Sequence, residues 1–290
     1  MLRGEKMSGT IEDVRAHYDR QAEREWYRLV RHRVEYAITL RALRDILPDR
    51  ARILDVGGGP GRYAVALSAT GHAVTLVDIS PRLLERARAH AAERKVSLVA
   101  TVEASATDLS QFDCSSFDAV LLLGPLYHLP EEDERKQAVR EALRVLVPGG
   151  VMAASFLTRY GPLRELARRE PRLLLRFPAR YEMLLEHGVL PGPELGDEVV
   201  HGYYARPDEI GPLLADAGFD PPRLLAVESI LDGGDDRVSA LHGPEWHAWA
   251  DLLYDLADDP GLLAAATHVL ALCRRPRSDL QEDVSRLGIA

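Results

Sequence analysis

The sequence predicts an α/β protein built on a mostly parallel, seven-stranded sheet, and three observations predict it. Short apolar runs alternate with amphipathic stretches between residues 51 and 156, the pattern left by strands joined through crossover helices. One of these runs, Arg52-Ile53-Leu54-Asp55-Val56, ends in Gly57-Gly58-Gly59-Pro60-Gly61 and opens directly into a helical pattern, as a buried strand does when it hands over to a ligand-binding turn. The 290 residues suffice for one such core with insertions.

Residues 1–50 read as a helical cover, because Val14, Tyr18, Trp26, Leu29, Val30, Val34, Ile38 and Leu43 recur among charged positions at helical spacing. The core spans 51–156, with strands at 51–56, 73–78, 96–103, 117–123 and 151–156 and helices at 61–70, 81–94 and 131–146; Ser80 and Pro81 supply a cap and first-turn residue for the second of these. Between 157 and 206 the rhythm changes to two or more helices, Leu163–Phe177 and Ala179–Glu186, followed by the Pro/Gly-rich stretch at 190–196; we read this segment as a lid. Residues 207–290 complete the sheet, with a helix at 207–217, strands at 223–229 and 267–274, and an acidic helical excursion through Trp246, Trp249 and Tyr254.

The glycine loop alone does not choose a ligand. Gly59-Pro60-Gly61-Arg62-Tyr63-Ala64 fits the G-x-G-x-x-A dinucleotide pattern, and Asp78 follows about 20 residues later at the end of the next strand. Asp55 discriminates, because a carboxylate ahead of the first glycine would crowd a pyrophosphate with like charge yet suits a cationic or hydrogen-bond-donating ligand. A sulfonium amino acid bearing an adenosine is such a ligand.

Asp55-Val-Gly57-Gly-Gly59-Pro-Gly61 resembles motif I of the class I S-adenosylmethionine (SAM)-dependent methyltransferases, and specifically their small-molecule members of the ubiquinone- and menaquinone-biosynthesis type. Val74–Ser80 resembles motif II, Phe117–Gly124 the fourth strand, and Ala142–Gly150 the helix and turn that lead to the fifth. The resemblance is dense over residues 12–156 and loose beyond. It implies a Rossmann-like fold whose last two strands pair antiparallel at one edge, SAM as cofactor, and transfer of a methyl group to a small-molecule acceptor through oxygen, nitrogen, sulfur or carbon.

The resemblance also assigns residues. Asp78 would accept hydrogen bonds from both ribose hydroxyls, Ile79 would cover one adenine face, and Asp55, Gly57, Gly59 and Gly61 would form the cradle. Where an adenine-contacting aspartate is frequent this chain has Ser105, so Ser105, Ala106 or Asp108 must meet the exocyclic amine. The methionine end would lie along Gly57 and Leu123, its carboxylate near Tyr18 or Arg31. His128 is the candidate general base, since a neutral imidazole accepts a proton near pH 7; packing against the cofactor is its alternative role, and Tyr127 is the alternative catalytic residue. Gly124-Pro125-Leu126-Tyr127 lacks the Asn/Asp-Pro-Pro-aromatic run of nucleobase amino-methylating enzymes. His201, Tyr203 and Tyr204 are placed to line the acceptor pocket, and Trp26, Tyr27, Phe156, Leu174, Phe177, Tyr181 and Met183 are available to it or to ordinary core.

Composition narrows the rest. A net charge of −9 disfavours nucleic acid as substrate. No apolar stretch approaches the ~18 residues of a membrane span, so a cytoplasmic protein with no membrane partner is expected. Cys114 and Cys273 stand without partners at metal-ligand spacing, and His242, Glu245 and His247 are too loosely spaced to predict a metal site. The abundance of Arg over Lys hints at a bacterial source. Two rival readings remain, a nicotinamide or flavin oxidoreductase from the glycine pattern, and a SAM-binding protein that transfers no methyl group.

Overall fold

The computed structural model describes residues 11–190, 202–231 and 236–277. Two helices, α1 (Ile11–Arg31) and α2 (Arg33–Ile46), precede the sheet. The core then runs β1 (Arg52–Val56), α3 (Arg62–Ala69), β2 (Ala73–Asp78), α4 (Pro81–Glu93), β3 (Ala100–Glu103), β4 (Phe117–Leu122), α5 (Glu132–Val145) and β5 (Leu146–Leu157). Three helices follow, α6 (Tyr160–Arg169), α7 (Leu173–Arg176) and α8 (Pro178–His187), and then α9 (Pro207–Ala217), β6 (Arg223–Ala226), α10 (Asp236–Ser239), α11 (Gly243–Asp255), α12 (Pro260–Leu263) and β7 (His268–Arg274).

The sheet has seven strands in the order β3-β2-β1-β4-β5-β7-β6. Strands β1 to β5 are mutually parallel, and β7 runs antiparallel to both β5 and β6. The strand order reverses between β1 and β4, and in open α/β sheets the carboxyl ends of the strands at that point form the ligand crevice.

Alternation along the strands places one apolar set on each face. Ile53, Val74, Leu76, Leu121, Ala153 and Leu270 pack beneath α2, α3, α4 and α11, while Leu54, Val77, Val120, Leu122, Met152 and Val269 pack against α5 and α9. A separate small cluster of Leu166, Tyr181, Leu184, Leu190 and Tyr204 holds the α6–α8 insertion together.

Several boundaries differ from the sequence expectation. The single helix expected over Leu163–Phe177 is two, because Pro171 lacks an amide and biases Glu170 away from helical dihedrals; α6 ends at Arg169 and α7 is one turn. The strand expected from 96 begins at Ala100, after α4 closes through the amides of Lys95 and Val96 on Ala92 and Ala91. The strand expected over 223–229 stops at Ala226, before Ser229 takes a left-handed conformation (φ 50°) and opens a 3-10 turn.

Candidate active site

The floor of the crevice is the turn after β1. Gly57 adopts φ 65° with the Pro125 ring so close that a Cβ would lie 2.5 Å from its Cγ, and a Cβ on Gly58 would lie 2.5 Å from Asp55 Oδ2. Only backbone fits between β1 and the segment after β4. The amides of Gly57 and Gly58 donate to Val77 O at 2.7 and 3.2 Å, which ties this turn to the end of β2.

Asp78 ends β2 with each carboxylate oxygen holding one amide, Gly59 N on Oδ2 at 2.9 Å and Ser80 N on Oδ1 at 2.8 Å. Each oxygen keeps a further lone pair for a ligand hydroxyl. Burial pushes the Asp78 carboxyl up to about 6 despite those amides. Asp55 is 1% exposed, its oxygens make no full hydrogen bond, and burial together with the neighbouring Asp78 charge pushes it up to about 7. Two reluctantly ionised carboxylates therefore face one cavity of about 1000 Å³, mouth included, which Ile79, Leu83, Ala104, Ser105, Ala106 and Leu123 also line.

The roof is α1. Ser80 Oγ caps α4 by accepting from Leu83 N and donates to Asp19 Oδ1 at 2.5 Å, while Arg82 reaches Asp19 O and Arg86 pairs with Glu23. These contacts seat α1 with Tyr18, Glu25 and Arg28 over the cavity. The Arg28 guanidinium forks onto Glu35 at 3.0 and 3.2 Å and also donates to Glu25 at 2.9 Å. Glu35 is buried, which by itself would raise its carboxyl, yet Arg28 holds it below its ordinary value. Glu25 and Arg28 were not singled out from the sequence. Their signal was there, since positions 18, 25 and 28 fall on one face of a helix.

Tyr127 and His128 lie on the 3-10 turn Pro125–His128 that follows β4. His128 Nε2 and Tyr18 OH are 2.6 Å apart. Burial, reinforced by His17 and Arg28, lowers His128 to about 3, so its ring is neutral at physiological pH and far from the basicity that suits proton abstraction there. This low basicity counts against the base poised near pH 7 that the sequence argument named. Burial pushes Tyr127 up to about 12.

Tyr18, Arg28, Tyr127 and His128 line a second cavity as well, which continues past Leu157, Thr158, Gly161, Glu165, Tyr204, Glu228 and His268. The two cavities thus share a wall. His32, Glu35 and Glu228 each bring a ligand atom within 4.8 Å of the others in the second cavity, but both Glu35 oxygens already serve Arg28. His242, Glu245 and His247 form no such group among the described residues.

Of the residues picked from sequence, Tyr18, Asp55, Gly57, Gly59, Asp78, Ile79, Ser105, Ala106, Leu123, Tyr127 and His128 all line the first cavity. Gly61 does not; it caps α3 and faces the Ala87 methyl. Asp108 does not either: it is exposed and closes its own turn on Ser110 N. Tyr204 reaches the second cavity, whereas Tyr203 is turned to Glu209 and lies under the Arg135 guanidinium. Trp26 stacks on His90, Phe156 and Tyr181 are core, and Tyr27, Leu174 and Phe177 are exposed. His201 lies outside the described residues, and Arg31 outside the described side chains.

Strand order, the Asp55–glycine turn and Asp78 at the end of β2 together define the fold of the class I SAM-dependent methyltransferases. Residues 54–154 match the family model described as "Methyltransferase domain". A ubiquinone biosynthesis O-methyltransferase of Xanthomonas oryzae pv. oryzae is 37% identical over 109 residues, 38% of this chain and 44% of the relative; the match spans less than half the length of that relative. Among solved structures, a SAM-dependent methyltransferase from Methanosarcina mazei superposes with TM-score 0.56 at 20% identity, covering 82% of this chain and 98% of the other. One from Thermotoga maritima does so with TM-score 0.56 at 21% identity, covering 90% and 99%. At those identities the likeness is one of fold.

Proposed function

We propose that this chain transfers the methyl group of SAM to a small organic acceptor held in the second cavity. The observation that carries the reading is the wall of Tyr18, Tyr127 and His128 common to both cavities, which sets a donor and an acceptor on either side of one small group of side chains. Holding two reactants in line supplies much of the rate gain in a displacement of this kind.

SAM would supply an electrophilic methyl on a sulfonium. Toward it, Asp78 offers two acceptor oxygens for ribose hydroxyls, and Ile79 with Leu83 gives an apolar cover. Ser105 and the Ala106 backbone lie where an adenine edge would be met, and Arg28 and Tyr18 are the donors for a carboxylate. Asp55 favours a positively charged ligand in a cradle too tight for side chains. On the acceptor side, neutral His128 orients through Tyr18 rather than removing a proton, which suits an acceptor that arrives already nucleophilic. The α6–α8 insertion serves as the lid, and the protein acts in the cytoplasm.

Isothermal titration with SAM, S-adenosylhomocysteine and NADPH tests the donor half. Micromolar binding of the first two without the third supports the reading; binding of NADPH alone would return the glycine loop to redox chemistry. Label transfer from methyl-labelled SAM to panels of small acceptors tests the second half, and tight SAM binding with no transfer to any acceptor would favour a SAM-binding role without methylation.

A further inference from the structure

The insertion between β5 and α9 ends in a tip whose chemistry differs from the rest of the chain. Every residue from Ala167 to Ala179 is exposed except Leu173, whose half-buried side chain packs on the insertion's small core. With Leu173 turned inward, the single turn of α7 presents Leu174 (48% exposed) and Leu175 (89%), and Phe177 (43%) follows. Leu185 on α8 adds a fourth and Tyr160 on α6 a fifth, so five of the ten large exposed hydrophobics among the described residues belong to this one insertion. Pro171 and Pro178 bracket the turn and stiffen it.

Residues 167–180 also carry five arginines against one glutamate, in a chain whose net charge is −9. Arg172 and Arg176 flank the leucines, and the Arg176 guanidinium lies 5.2 Å from the Phe177 ring centre. A projecting apolar knob ringed by guanidinium groups matches a surface that is anionic at its face and hydrocarbon beneath. We propose that this tip docks the protein on an anionic phospholipid bilayer, with Leu174, Leu175 and Phe177 entering the headgroup boundary and Arg172 and Arg176 pairing with lipid phosphates. No described helix is long and apolar enough to cross a membrane, so the contact is one-sided. A nucleic acid would satisfy the arginines but give the leucines nothing, and a polar protein surface would do the same.

Flotation of the full chain with phosphatidylcholine vesicles and with mixed phosphatidylcholine–phosphatidylglycerol vesicles tests this, independently of any methyl transfer. Binding is expected to the mixed vesicles only and to weaken with salt. The double variant Arg172→Glu/Arg176→Glu should lower the partition coefficient at least about thirtyfold, from ~1 kcal/mol per lost surface cation. Leu174→Ser/Leu175→Ser should abolish binding at unchanged charge. All four positions are exposed, so melting temperature and SAM titration should match the parent and exclude misfolding. Equal binding to neutral vesicles, no vesicle binding, or a solution dimer that Leu175→Ser converts to monomer would each overturn the proposal.

Discussion

At the scale of single residues, Asp78 was readable because its place is fixed by a short local motif: the end of the strand that follows the glycine turn. Its two amide contacts position it without exhausting its acceptors. Asp78→Ala is expected to weaken SAM binding by about two orders of magnitude, the cost of about two hydrogen bonds to a charged group. His128→Ala should change SAM affinity less than about tenfold. Titration calorimetry checks both, and comparable losses would place His128 among the donor-binding groups. The state of His128 was not readable, because it is set by burial and by Tyr18, 110 positions away. Arg28 and Glu25 escaped for a related reason: charges on an amphipathic helix read as solvent-facing until a buried partner such as Glu35 is known.

At the scale of elements, local periodicity fixed β1 and β2 well, since short apolar runs closed by the glycine turn at Gly57 or by Asp78 leave little choice of boundary. It failed where one residue decided the outcome, as Pro171 did in splitting a helix and left-handed Ser229 did in ending β6. The turn after β1 is the element on which most depends. Gly57→Ala must either push Pro125 away or move the turn off β2, and an alanine at φ 65° is strained as well. We expect SAM affinity to fall more than about tenfold, with a loss of roughly 1–3 kcal/mol in stability. Denaturant melts beside SAM titrations will show it, and wild-type values in both would mean the turn is looser than its contacts indicate.

For the molecule as a whole, the buried carboxylates link stability to pH. Asp55, pushed up to about 7, binds a proton in the folded chain where the unfolded chain, near ~4, does not. The contribution is therefore fully present below about pH 4 and is lost as pH rises through about 7. Asp55→Asn removes the dependence. Relative to the parent, the variant should gain up to ~1.4 kcal/mol of stability for every step of one in pH between about 4 and 7. Its melting temperature should thus stand furthest above the parent's at pH 8 and closest to it at pH 4. Parallel melting curves for the two proteins across that range would rule the linkage out. The order of the sheet was not legible in the sequence, because pairing between strands as distant as β1 and β4 leaves no local trace.

The seating of α1 has one more consequence. Tyr18 and Arg28 form part of both cavity walls, and the helix that carries them is pinned over the first cavity by Asp19 on Ser80 and Glu23 on Arg86. If α1 lifts to release a ligand from the first cavity, the wall of the second cavity opens with it. On the proposed function, cofactor exchange and the resetting of acceptor selectivity would then be one event per cycle.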